Sequence, residues 1–178
     1  GNAYQYGKSS LSWSAARAAA DNGIAADEDW ATYLATITSA VEDSATIAAI
    51  GKGGAGAYVG AQASAWTTDS SNTKSRTWSW VTGPEGLAND GEGTAFYTQT
   101  AYFGDGSYKQ YVGSTGEALD DAHTNWHPRE PNYDNESSTK QNTLMINDSY
   151  GEGSVSKAAH WDDVSSNSSH STGYITET

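Results

Sequence analysis

The chain contains no cysteine. Small secreted domains with modest cores are commonly held by disulfides, so this one depends on its core or on bound metal. No run of about 18 apolar residues occurs, and no membrane-spanning helix is expected. Basic residues are scarce: 9 Lys and Arg against 22 Asp and Glu leave a formal net charge of −13. That balance argues against nucleic acid and anionic membrane as partners. It suits a cation-binding protein, whose self-repulsion falls when metal binds, and equally an acidic extracellular or salt-adapted surface. Charged residues total only 17%, so Ser, Thr, Asn, Gln and Gly finish the surface. Hydrophobic residues reach only 36%, yet 7 Trp and 11 Tyr each bury a large area. The length, 178 residues, suits a single domain spanning 1–178. The chain opens Gly-Asn, without Met or a signal peptide, as a processed chain or a module of something larger would.

Two helices are expected early and short strands late, which makes the fold class α+β. Residues 3–7 alternate as a first strand. Ser10 or Ser12 can cap a helix through about Asp21, with Leu11, Trp13, Ala16, Ala19 and Ala20 on one face and Asn22-Gly23 as its stop. Residues 33–37 read as a short buried strand. Thr38 or Ser39 can cap a helix over about 40–50, with Glu42 three residues after Ser39 as in a capping box, and that helix buries Val41, Ala45, Ala48 and Ala49 or Ile50. Further strands are expected at 57–61, 77–82, 142–147, 158–161 and 173–177. Residues 86–124 are Gly-rich and weakly patterned, and are expected as a long inserted loop. Gly51-Lys52-Gly53-Gly54-Ala55-Gly56 matches G-x-G-x-x-G formally. It lies between a helix and a strand, the reverse of a dinucleotide loop, so it is a glycine connection.

Chemistry concentrates in two stretches, Asn125-Trp126-His127-Pro128-Arg129-Glu130-Pro131-Asn132 and His160-Trp161-Asp162-Asp163-Val164. Both put hard oxygen donors beside a tryptophan. Calcium takes several oxygen ligands and tolerates irregular geometry. Residues i and i+2 of an extended segment face one way, and X-Pro is the bond that turns cis cheaply. Glu130 and Asn132 can therefore be preset toward one ion.

Several motifs occur in order: Tyr4 and Tyr6; Trp13-Ser14-Ala15-Ala16-Arg17; Tyr33-Leu34-Ala35-Thr36-Ile37 running into Ser39-Ala40-Val41-Glu42; and Tyr58-Val59-Gly60. Then follow Trp78-Ser79-Trp80-Val81-Thr82-Gly83-Pro84-Glu85, Asn125-Trp126, Glu130-Pro131-Asn132, Trp161-Asp162-Asp163 and Gly173-Tyr174-Ile175. With these the chain resembles a C-type lectin-like domain, over nearly all its length except about 86–124. It is similar to the cysteine-free bacterial members, modules of large secreted adhesins of the repeats-in-toxin type. The resemblance implies two helices with small antiparallel sheets and long calcium-binding loops. It implies Ca2+ held by Glu130, Asn132, Gln141, Asn142, Asp162 and Asp163, with Glu136 and Asp134 as possible extra ligands. Glu130, Asn132, Gln141 and Asp162 would bind the sugar, of mannose or fucose type, on cell-surface glycans outside the cell or at the bacterial surface. Asp120, Asp121 and Asp134 could serve a second calcium. Two positions depart from the family: Asp162 stands for the usual Asn and Gln141 for the usual Glu. Total ligand charge is unchanged, but Asp162 lacks the NH2 that donates to a sugar oxygen.

The alternative is a protein- or ice-binding module on the same fold, with 86–124 as its surface. Trimming that segment is expected to spare a sugar site and to abolish the alternative. His123 and His127 have zinc spacing, but Pro128 argues against the helix such a pair needs. Asp162 and Asp163 point apart on a strand and cannot share a proton. A calcium that keeps Glu130 and Asp162 ionised denies a glycosidase its acid. The expectation is binding without catalysis. Asn135, Asn147 and Asn167 begin formal glycosylation triplets that are not expected to be used.

Overall fold

The computed structural model describes residues 2–21, 31–51, 56–71, 73–103, 111–128, 130–132, 141–147 and 159–178. Its elements are β1 (Tyr4–Gly7), α1 (Trp13–Asp21), β2 (Tyr33–Leu34), α2 (Ala40–Ile50), β3 (Ala57–Ala63), β4 (Thr67–Thr68) and β5 (Lys74–Trp80). Then follow α3 (Gly83–Gly86), α4 (Ala88–Gly91), β6 (Thr94–Phe103), β7 (Tyr111–Ala118), β8 (Gln141–Asn147), β9 (His160–Ser165) and β10 (Gly173–Glu177). The Asn22-Gly23 stop, the glycine connection at 52–55 and the residues Asp134 and Glu136 lie outside the described residues.

Ser12 starts α1, its Oγ accepting from the Ala15 N–H at 3.2 Å. The helix buries Trp13, Ala16 and Ala20, three positions on one helical face. Trp13 Nε1 donates to the Val59 carbonyl at 2.8 Å and pins α1 to β3. At α2 the Ser39 Oγ accepts from the Glu42 N–H at 3.3 Å. The return arm of this capping box reaches one residue further back, since Glu42 Oε2 accepts from the Thr38 N–H at 2.7 Å. The buried face of α2 is Asp43, Thr46 and Ile50, and Val41 is 79% exposed. Of the expected face, Ile50 is buried and Ala45 half-buried, while Val41 and Ala48 are exposed, so the face is rotated from the one expected. In an alanine-rich helix the apolar stripe is weak, and Asp43 decides the rotation. Its two carboxylate oxygens accept from Trp161 Nε1 at 2.9 Å and Asn125 Nδ2 at 2.7 Å.

The strands form one ten-stranded sheet with the path β1-β10-β3-β5-β6-β7, and β8 joins β3 to β9. This is richer in sheet than the expected two helices with small sheets. β10 pairs antiparallel with β1 and parallel with β3, which ties both chain ends into the sheet. Gly60 lies at a close approach of three segments: a Cβ there would stand 1.8 Å from Thr82 Oγ1 and 2.7 Å from the Leu34 carbonyl.

The segment 86–124 is not the loop expected. It holds α4, β6 and β7, and β6 pairs with β5 along seven register positions from Lys74–Ala101 to Trp80–Thr94. Two features hid these strands. The ladder shifts register between Trp78 and Ser79, which breaks the two-residue period. The inward position Gln99 is polar, yet it is fully buried.

The core is aromatic. Trp80 stacks on Phe96 with ring centroids 4.8 Å apart, and Trp161 meets Trp80 edge-on at 5.7 Å. Trp78, Trp80, Trp161 and Tyr58 are among its largest fully buried side chains.

Candidate metal and ligand site

The two motif stretches meet because residues 125–127 run alongside β9. Trp126 bridges to Trp161 in parallel register. The Trp161 N–H donates to the Asn125 carbonyl at 2.8 Å, and the His127 N–H donates to the Trp161 carbonyl at 3.0 Å. Asn125 Nδ2 also donates to Asp43 and, at 3.1 Å, to the Ala159 carbonyl. Asp43 thereby clamps both motifs to α2. Trp126 fills the space beneath, 5.1 Å from Trp78 and 5.8 Å from Trp161 by ring centroids. The Glu130 N–H then donates to the His127 carbonyl at 2.7 Å, which turns the chain into Glu130-Pro131-Asn132. The Glu130–Pro131 bond is cis, as the tripeptide implied.

Carboxylate oxygens of Glu130, Asp162 and Asp163 come within 4.8 Å of one another. Among the described residues no other group of three or more His, Asp or Glu side chains converges in this way. Asp163 is fully buried and Asp162 is 9% exposed; Glu130 is partly exposed. Asn132 stitches the halves together. Its N–H donates to Asp163 Oδ1 at 2.7 Å and Glu130 Oε2 at 2.9 Å, and its Nδ2 donates to Glu130 Oε1 at 2.9 Å.

The sequence did not single out the residues beneath this cluster. Arg76 on β5 is 4% exposed. Its Nη2 pairs with Asp163 Oδ2 at 3.0 Å. Its Nη1 donates to the Gln141 carbonyl at 2.6 Å and its Nε to Gln99 Oε1 at 2.7 Å. Gln99 Nε2 donates in turn to the Pro131 carbonyl at 2.8 Å. The guanidinium lies 4.5 Å from the ring centroid of Trp66 and 4.9 Å from that of Trp78. The usable signal was a lone Arg alternating with Trp78 and Trp80 in Arg76-Thr77-Trp78-Ser79-Trp80, a charge on the buried face of a strand.

No protein-family model matches the chain, and no curated protein does. Among solved structures it matches the C-type lectin CEL-I from Cucumaria echinata, with TM-score 0.50 over 99% of this chain and 89% of that one, at 13% sequence identity. The fold is C-type lectin-like. At that identity the likeness speaks for the architecture alone.

Within this lectin-like fold the donor set fits Ca2+, which takes six to eight oxygens in adaptable geometry. Three carboxylates converge, and Gln141, whose carbonyl accepts from the Arg76 beneath them, has a side-chain Oε1 that is buried without a hydrogen-bond partner. Glu130, Asp162 and Asp163 would hold the ion, with Gln141 and the Oδ1 of Asn132 as the further oxygen donors expected there; the N–H and Nδ2 of Asn132 meanwhile position Glu130 and Asp163. Asn142 lies where β8 shifts register against β9, and none of the described hydrogen bonds joins it to the cluster. Asp120 and Asp121 form an exposed left-handed turn after β7, with φ of 48° and 57°, apart from the converging donors.

The remaining titratable groups lie elsewhere. His123 Nε2 stands 3.7 Å from Asp43 Oδ2, and His160 Nδ1 shares a 3.1 Å hydrogen bond with Asn125 Oδ1. At the opposite end of the chain Glu177 Oε2 accepts from the Thr36 N–H at 3.0 Å, and its Oε1 accepts from Asn2 Nδ2. Burial pushes the Glu177 carboxyl above its ordinary value, against these hydrogen bonds, which pull it down. Burial, then the charges of Glu177 and Glu85, push the Tyr33 hydroxyl up to about 12.

Proposed function

We propose that the chain is a calcium-dependent carbohydrate-binding module that serves adhesion and binds glycan without transforming it. One observation carries this: Glu130, Asp162 and Asp163 converge within 4.8 Å at the cis Glu130–Pro131 turn of a C-type lectin-like fold. Glu130, Asp162 and Asp163 would hold the Ca2+, which when bound would offer a Lewis-acidic point for vicinal sugar hydroxyls. Beside it, Glu130 and Asp162 would accept hydrogen bonds from the sugar hydroxyls. The mannose or fucose class follows from the Glu-Pro-Asn tripeptide, and the acceptor-only Asp162 favours sugars that donate at that point. Placement outside the cell, as part of a bacterial surface adhesin, follows from the same resemblance.

The deciding experiment is a glycan array probed with the purified chain in millimolar Ca2+ and again in chelator. Binding to mannose- or fucose-bearing glycans in Ca2+, lost in chelator, is the expected outcome. Binding undiminished by chelator rejects calcium dependence, and a blank array with folded, calcium-loaded protein rejects the glycan assignment.

A protein- or ice-binding face has a separate observation in its favour. The pairs Thr67–Ser75, Ser75–Thr100 and Thr100–Thr115 put four hydroxyl side chains in one row across β4, β5, β6 and β7, because paired residues share a face. Thr77–Thr98–Glu117 forms the next row. Thr100→Lys would abolish binding through that face and leave glycan binding unchanged.

A further inference from the structure

We propose that Arg76 sets the charge of the cation site, making a three-carboxylate cluster act as a divalent site. The proposal rests on the calcium reading above and goes beyond it. Glu130, Asp162 and Asp163 bring three negative charges within 4.8 Å. Arg76 brings one positive charge, 3.0 Å from Asp163 Oδ2 in a pair whose side chains are 1% and 0% exposed. Three less one leaves two, the charge of Ca2+. The screening that makes surface ion pairs weak does not reach this pair.

The guanidinium cannot drift away from the cluster. Its three nitrogens are committed to three strands: Nε to Gln99 on β6, Nη1 to the Gln141 carbonyl on β8 and Nη2 to Asp163 on β9. Trp66 and Trp78 hold it by their ring faces, a stacking mode suited to a planar cation. Gln99 extends the hold to the other half of the site through the Pro131 carbonyl. The positive charge is therefore built into the frame that positions Glu130 and Asp163 together. It lowers the mutual repulsion of the donors before any ion arrives and caps the cation charge the site favours.

Ion selectivity tests this, because a merely structural role for Arg76 would lower all affinities alike. The wild-type chain, Arg76→Met, Arg76→Lys and Gln99→Glu are each checked for fold by circular dichroism. Each is then titrated by calorimetry with Ca2+ and with Tb3+. In Arg76→Met the ratio of Tb3+ to Ca2+ affinity is expected to rise about tenfold or more, since one unit of charge acts more strongly on the trivalent ion. Arg76→Lys keeps the charge and is expected to stay within about threefold of the wild-type ratio. Gln99→Glu sets a carboxylate against Arg76 Nε, cancels its charge in place and moves the ratio upward too. It carries the test if Arg76→Met fails to fold. An unchanged ratio in the charge-cancelling variants overturns the proposal. A wild-type chain that binds neither ion overturns the calcium reading itself.

Discussion

At the scale of single residues, burial decides which charges matter. Most of the 22 acids contribute to the net −13 as a diffuse field, but Asp163 is paired with Arg76 where neither side chain meets water. Removing one member of such a pair strands the other, at a cost of about 3–5 kcal/mol. Asp163→Ala is therefore expected to lose that much stability in calcium-free denaturant unfolding; a loss under about 1 kcal/mol would mean the pair is solvated. Glu177 shows the reverse case. Its folded pKa is raised, chiefly by desolvation, so the folded chain holds that proton more tightly than the unfolded one. The stability it contributes is whole below the unfolded value of 4.5 and falls as pH rises through the folded value. The melting-temperature difference between wild type and Glu177→Gln should shift in favour of the variant as pH rises from about 4 to 7. A difference that stays flat across that range would refute the assignment. Glu130, Asp162 and Asp163 were all legible as candidate ligands. Arg76 was not singled out: its alternation with Trp78 and Trp80 hints at burial, but nothing local names Asp163 as its partner.

At the scale of elements, the helices and the terminal strands followed their local chemistry. Ser39 caps α2 as its spacing with Glu42 indicated, and Ser39→Ala should cost about 1 kcal/mol of stability by chemical denaturation. The face that α2 buries was misjudged, because Asp43 turns inward to meet Trp161 and Asn125. The larger miss was 86–124. A polar inward residue and a register shift erased the alternation that marks a strand. The consequence is functional. Gln99 on β6 supports both Arg76 and Pro131, so trimming this segment cannot spare the Glu130–Asp163 site as expected from sequence. Replacing 95–118 by a short turn should abolish calcium binding measured by calorimetry. Full affinity after the replacement would show the β5–β6 support to be dispensable.

At the scale of the whole molecule, a cysteine-free chain ties its first and last strands together by pairing β1 with β10 and packs its core with tryptophans. The carboxylate cluster of Glu130, Asp162 and Asp163 then joins segments about 30 residues apart. A ligand that binds only the folded state stabilises it by about 4 kcal/mol at 1,000 times its dissociation constant. Saturating Ca2+ is thus expected to raise the melting temperature, and chelator to reverse the rise. Identical melting curves would argue against a tight site. The sequence by itself determined the donor chemistry, the cis Glu-Pro-Asn turn, the helix starts and the lectin-like order of motifs, because these depend on residue types at short spacing. Only the tertiary structure decided the single large sheet, the facing of α2 and the place of Arg76 and Gln99. Those depend on hydrogen-bond partners far along the chain, which local periodicity does not name.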